Sequence, residues 1–138
     1  MGTTIKLDNG LKKFTFKDED GDVFASFRIN PASPGLAKRA EEVANYFEQR
    51  EKTVSEISSV DEWKKFSDEI EKKIVDLLGY DAHDDLFGVV EAATVLPDGS
   101  VFAMAVLDVI ADTIEPEITR RAEQVQAKAD YYAAKYNS

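Results

Sequence analysis

The sequence predicts an α+β domain: a small N-terminal antiparallel β-sheet of two or three strands, packed on a mainly helical body of about four helices. Three observations predict it. Apolar residues alternate with polar ones up to Ile29, and from Leu36 onward they recur every three or four positions. Turn and cap residues (Asn9-Gly10, Asp18 to Gly21, Ser33-Pro34, Ser59, Gly79) fall between those patterned segments. At 138 residues the chain is long enough for one core and too short for two, so 1–138 reads as a single domain, with a β-hairpin region over 1–30 and a helical region over 34–138.

Thr4 to Asp8 alternates with period two and runs into Asn9-Gly10, a pair that favours positive φ, so a first strand is expected there. Phe14 and Phe16 alternate with Lys13, Thr15 and Lys17 in the next. After the Asp18-Glu19-Asp20-Gly21 turn, Val23, Ala25, Phe27 and Ile29 form one face of a third strand, and Phe24, Ser26 and Arg28 the other. A sheet this small needs helices over its apolar face. In the first helix Leu36, Ala40, Val43, Ala44 and Phe47 share a stripe, with Ser33 as N-cap and Pro34 at the tolerated first position. Ser59-Val60-Asp61-Glu62 matches a capping box, and Val60, Trp63, Phe66, Ile70, Ile74 and Leu77 follow at helical spacing until Gly79.

Tyr80 to Ser100 reads as irregular, with a short helix near Asp84 to Phe87 and a tight turn at Leu96-Pro97-Asp98-Gly99. A third long helix, about 101 to 115, is apolar around most of its circumference, with only Asp108, Asp112 and Glu115 forming a polar stripe. It is either central in the core or covered by another chain. Pro116 bends or restarts the chain. A last helix then places Ile118, Val125 and Tyr132 on one heptad line and Ala122, Ala129 and Tyr136 on another, a seam suited to helix packing.

Charge and composition narrow the function. The net charge is −10, and from Ile74 to Thr119 there are ten acidic side chains and no Lys or Arg, which disfavours a phosphate backbone, reads first as a solvated face, and is compatible with a basic protein partner. With no cysteine, disulfides and thiol chemistry are excluded. The start lacks a basic n-region and an apolar h-region, and the longest apolar run, Val101 to Leu107, is far too short for a bilayer, so a cytoplasmic protein without membrane contact is expected.

No catalytic motif emerges. His83 stands among Asp81, Asp84 and Asp85, a weak pattern for a metal site or a hydrolase, and a solvated polar loop accounts for it. Asp18, Asp20 and Asp22 around Gly21 fail as a calcium loop, because Phe16 and Phe27 fall where the first and twelfth ligands belong. The seven glycines are scattered, and no serine sits in a Gly-x-Ser-x-Gly elbow. The aromatics Phe24, Tyr46, Tyr131, Tyr132 and Tyr136 are read as core or helix-seam residues rather than base-stacking ones. The expectation is a non-enzyme with no cofactor and no bound metal.

One junction is more informative. Phe27-Arg28-Ile29-Asn30-Pro31 leaves a strand, Ala32-Ser33-Pro34 caps a helix, and Arg39 follows one turn in. Together with Phe14-Thr15-Phe16, Asp20-Gly21, Gly79, the Asp84-Asp85-Leu86-Phe87-Gly88 segment, Arg120-Arg121 and Lys135-Tyr136, in that order, this resembles the small tail assembly chaperones of long-tailed bacteriophages and prophages of Gram-positive hosts. The family often has an acidic residue after Asn-Pro, where this chain has Ala32. The resemblance implies a non-enzymatic role in the host cytoplasm: binding the tape measure protein, assisting recruitment of the major tail protein, and in some members a frameshifted longer form. A homo-oligomer is compatible with it. On this reading the partner surface is expected at Phe102, Val106, Val109, Ile110 and Ile114, rimmed by acidic residues, with Val106→Asp and Ile110→Asp as its test. The alternative is a small acidic adaptor or regulatory protein that binds another protein through Ile118 to Tyr136.

Overall fold

The computed structural model describes residues 2–136, without the side chains of residues 51–53 and Ile118. Two antiparallel strands, β1 (Lys12–Lys17) and β2 (Val23–Ile29), are followed by α1 (Pro34–Ser55), α2 (Val60–Leu78), the short α3 (His83–Phe87) and α4 (Phe102–Tyr136). The small α+β architecture is the expected one, and three details differ.

The expected strand at Thr4 to Asp8 is not paired. A two-residue hairpin at Asn9-Gly10 needs positive φ at both positions, and only Gly10 has it, at +78°. Asp8 and Asn9 instead turn their side-chain oxygens onto the N–H groups of Gly10 and Leu11, each at 2.9 Å. The Asn30 side-chain amide also donates to the Asn9 carbonyl at 2.6 Å, which ties this turn to the end of β2. The preceding segment is left in solvent, with Leu7 86% exposed.

The hairpin closes through Asp18, whose carboxylate accepts from the N–H groups of Asp20 and Asp22, and Gly21 takes the positive φ of +85°. Phe14 faces Phe27 and Phe16 faces Ala25, but Lys17 faces Val23, so Phe24 is an extra residue. This bulge overturns the strict alternation expected for β2. Val23 is exposed, while the Phe24 ring lies 6.2 Å from Phe16 and 5.8 Å from Phe102.

The helices begin and end where local chemistry directs. The Ser33 hydroxyl accepts the Leu36 N–H at 3.4 Å, and the Ser59 hydroxyl accepts that of Glu62 at 3.1 Å. The Glu62 carboxylate reaches back to the N–H of Ser58, one residue before the N-cap. At the other end of α2, Gly79 adopts φ 79° and donates to the Val75 carbonyl. Arg39 on α1 donates its Nε to the neighbouring Leu77 carbonyl at 2.9 Å, which joins the two helices at a helix end that lacks partners of its own.

The third difference concerns α4. The expected helices on either side of Pro116 form a single element of 35 residues. Proline removes only one donor, leaving the Asp112 carbonyl without its N–H. Both residues lie on the exposed side, where water can serve that carbonyl. At its start the helix is held by the irregular segment before it, as Phe102 and Ala103 donate to the carbonyls of Thr94 and Ala92, each at 2.9 Å. The Leu96 to Gly99 turn, closed by a 2.8 Å bond, positions that start.

Phe102 sits where the layers meet. Its ring is 5.7 Å from Phe16 and 5.8 Å from Phe87, both edge-on, so one side chain links the hairpin, α3 and α4. Around it Phe27, Leu36, Val43, Phe47, Phe66, Ile70, Ile74, Leu77, Leu86, Val106 and Ile110 form one buried cluster. Ser67 is the one buried polar side chain among the described residues, and its hydroxyl is satisfied by the Ala93 N–H at 3.1 Å.

Candidate partner-binding surface

The residues expected to face a partner are turned inward. Phe102, Val106, Ile110 and Ile114 are buried in the domain core, and Val109 is half-buried against it. The expectation of an open apolar face there is therefore corrected, for a physical reason: the hairpin, α1, α2 and α3 supply the cover that this helix needs. Asp108, Asp112 and Glu115 are the solvent side of the same helix.

The exposed apolar surface lies further along α4. From Thr119 to Tyr136 every residue is exposed except Arg121, which is half-buried. At about 1.5 Å per residue, these eighteen residues extend roughly 27 Å as a helical arm beyond the core. Val125, Tyr131, Tyr132 and Tyr136, the last 72% exposed, stand on it. The rings order one another: Tyr131 and Tyr132 meet edge-on at 5.5 Å, and Tyr132 and Tyr136 stack at 6.3 Å. Lys128 lies 5.6 Å from the Tyr132 ring centre and Lys135 5.5 Å from that of Tyr136, so cationic heads border the aromatic surface. The tyrosines expected on a helix seam are thus solvent-exposed and stand beside cations. Of the heptad lines, Ile118 lies outside the described side chains.

The arm leaves the core at an ion-pair node. Glu117 accepts from Arg120 and from Arg121, the latter at 2.9 Å. Those two guanidinium groups hold the Glu117 carboxyl down to about 2.

A second apolar surface was not anticipated. The sequence stripe on α2 counts Val60 and Trp63 as core, yet Val60 is 85% exposed and Trp63 is nearly half exposed. The first turn of α2 extends past the elements that cover the rest. With Ile57, Ser58, Lys64 and Glu91 these residues line an open groove of about 510 Å³. The indole N–H is satisfied by the Ala93 carbonyl at 3.2 Å, so the ring is held in place.

The remaining candidates resolve into structural roles. His83 binds the Glu71 carboxylate on α2 through Nδ1, and Asp84 lies 3.8 Å from its other nitrogen. Among the described residues no three His, Asp or Glu side chains are grouped to hold a metal ion, and no helix is long and apolar enough to cross a membrane. Tyr46 donates to Glu69, and burial followed by that bond pushes its phenol up to about 12.

The junction at Phe27 to Pro34 is likewise an anchor. Phe27, Ile29 and Pro31 are buried, and the Arg28 guanidinium lies 4.3 Å over the Tyr80 ring. The Arg28 N–H donates to the Tyr80 hydroxyl at 2.9 Å, and Asn30 accepts the Ala32 N–H while holding Asn9. These contacts close the outer edge of β2 at Arg28 and set the direction in which α1 starts. The chain matches no known family model, no curated protein and no solved structure.

Proposed function

We propose that the protein is a non-enzymatic assembly chaperone of the phage tail kind. In this role it holds a segment of the tape measure protein in the host cytoplasm, assists the approach of major tail protein subunits, and docks its client on the α4 arm. The observation that carries the reading is the arm: eighteen residues of helix from Thr119 to Tyr136, exposed but for Arg121, with Val125 on it and Tyr131, Tyr132 and Tyr136 over its last six residues. An unpaired amphipathic helix on a folded body is a standard means of capturing another helix. The order of short motifs supports the choice of partner, and their residues (Arg28, Asn30, Pro31, Arg39, Gly79) brace the body that carries the arm. The strongly acidic remainder would keep a client complex soluble.

The test is co-purification of the full chain with overlapping tape measure fragments, compared with Val125→Glu and Tyr132→Glu variants. Capture by the parent chain and its loss in both variants is expected. Undiminished capture by the variants would remove the arm from the reading, and no capture of any fragment would remove the chaperone role. The exposed arm would equally serve a small acidic adaptor. Gene order separates the two, since a chaperone gene should lie between those for the major tail protein and the very long tape measure protein.

A further inference from the structure

We infer that the α4 arm selects one amphipathic partner helix whose apolar seam is flanked by acidic side chains, and that it pairs with that helix as a short two-stranded coiled coil. The inference rests on the arm being the docking element and adds the chemistry of what it takes. Along the arm Ala122, Ala129 and Tyr136 repeat every seven residues, and Val125 and Tyr132 repeat between them at the three-and-four spacing of a coiled-coil seam. All five are exposed. Small residues at two of the three positions on the first line allow a second helix to approach closely. The tyrosines then close the outer end of the contact.

The flanks decide the partner. Immediately before each residue of the first line stands a cation: Arg121 before Ala122, Lys128 before Ala129, Lys135 before Tyr136. The opposite flank, Thr119, Gln126 and Ala133, carries no charge. In a coiled coil these flanking positions set partner choice and orientation. Arg121 is already engaged by Glu117, so Lys128 and Lys135 carry the selection: cations facing a neutral row are complementary to a helix with acidic residues beside its seam.

A second copy of this chain does not meet that requirement. Packed antiparallel, two arms would set their cationic rows against each other; packed parallel, each cationic row would face the neutral one. Neither arrangement forms an attractive pair. The bodies oppose it as well. Beyond residue 118 there are four basic and two acidic side chains, so residues 1–118 carry −12 of the net −10. Single-stranded nucleic acid could stack on the tyrosines, but that acidic body stands against it.

The test uses the full chain and three designed 21-residue peptides with one leucine heptad seam, differing only in Glu, Gln or Lys at the flanking positions. Binding is followed by fluorescence anisotropy, alongside a labelled oligouridine. The Glu peptide is expected to bind at least about tenfold tighter than the Lys peptide. That preference should collapse at about 1 M salt, where the screening length is about 3 Å. Lys128→Glu combined with Lys135→Glu should reverse it, and as both side chains are exposed the fold should persist by circular dichroism.

Equal binding of the Glu and Lys peptides, or binding of none, overturns the inference. So does a dimer in sedimentation that Val125→Glu dissolves, or tighter binding of the oligouridine than of any peptide. Glu preference without capture of tape measure fragments would uphold the partner chemistry and remove the chaperone identity. Fragment capture without Glu preference would do the reverse.

Discussion

The two halves of α4 are one continuous helix with opposite fates. Phe102 to Ile114 lies under the sheet and the other helices, whereas Thr119 to Tyr136 is exposed apart from the half-buried Arg121. Both halves have apolar residues at helical spacing. The difference lies in the cover. The first half begins where two loop carbonyls receive its N–H groups, and it runs straight into a pocket of phenylalanines contributed by β1, β2 and α3. The second half starts after Pro116 with an ion-pair node and continues into solvent. One half of the helix is therefore architecture. The other is available for work.

Substituting matched positions in the two halves tests this contrast most severely. Val106→Asp and Ile110→Asp each place an unpaired charge in a fully buried site and should cost more than about 4 kcal/mol, enough to abolish cooperative unfolding in a urea titration. They cannot serve as folded probes of a surface. Val125→Asp should instead leave the midpoint within about 0.5 kcal/mol of the parent. A folded Ile110→Asp protein would break the assignment of that half to the core.

Phe102→Ala comes next, at about 3–5 kcal/mol, because the cavity it leaves adjoins three other rings. Tyr132→Ala, aromatic to alanine in the other half, is the control. Pro116→Ala then addresses the boundary between the halves. Restoring the donor to the Asp112 carbonyl should stabilise α4 by about 1–3 kcal/mol and slow amide exchange across residues 117–124. Unchanged exchange there would show that Pro116 does not weaken the junction.

The smallest effect is electrostatic. The Glu117 carboxyl is held down to about 2, so its pairing with Arg120 and Arg121 contributes fully above the ordinary carboxylate range and is lost as the pH falls through about 2. The carboxyl carbon of Glu117, followed by NMR, should titrate near 2 in the parent. In an Arg120→Ala, Arg121→Ala protein it should move toward the ordinary 4.5. Titration near 4.5 in the parent would dissolve the node.

How much was legible varies with how local the cause is. Ser33, Ser59 and Gly79 act on backbone groups within four residues, and all three were readable. The Thr4 to Asp8 strand was misread because its turn is decided by Asn30, twenty-one residues away, as well as by Asn9 and Gly10. Phe24 was assigned to the wrong face because a bulge shifts the register by one, and alternation carries no mark of that shift. Val60 and Trp63 fit the α2 stripe by spacing, yet they lie beyond the end of what the stripe packs on. The five residues chosen as a partner surface were correctly seen as apolar and wrongly expected to be open.

The sequence by itself determined the kinds of element, their caps, the hairpin turn, the acidic excess and the heptad lines of the last helical segment. Each of these depends on neighbours within about two helical turns or on a simple sum of charge. Only the tertiary structure decided which apolar stretch is covered and whether Pro116 ends a helix. Cover comes from residues far away in the chain, and burial depends on which surfaces are brought together. Hydrophobic spacing says that a face needs a partner; packing alone says whether the chain has already supplied one.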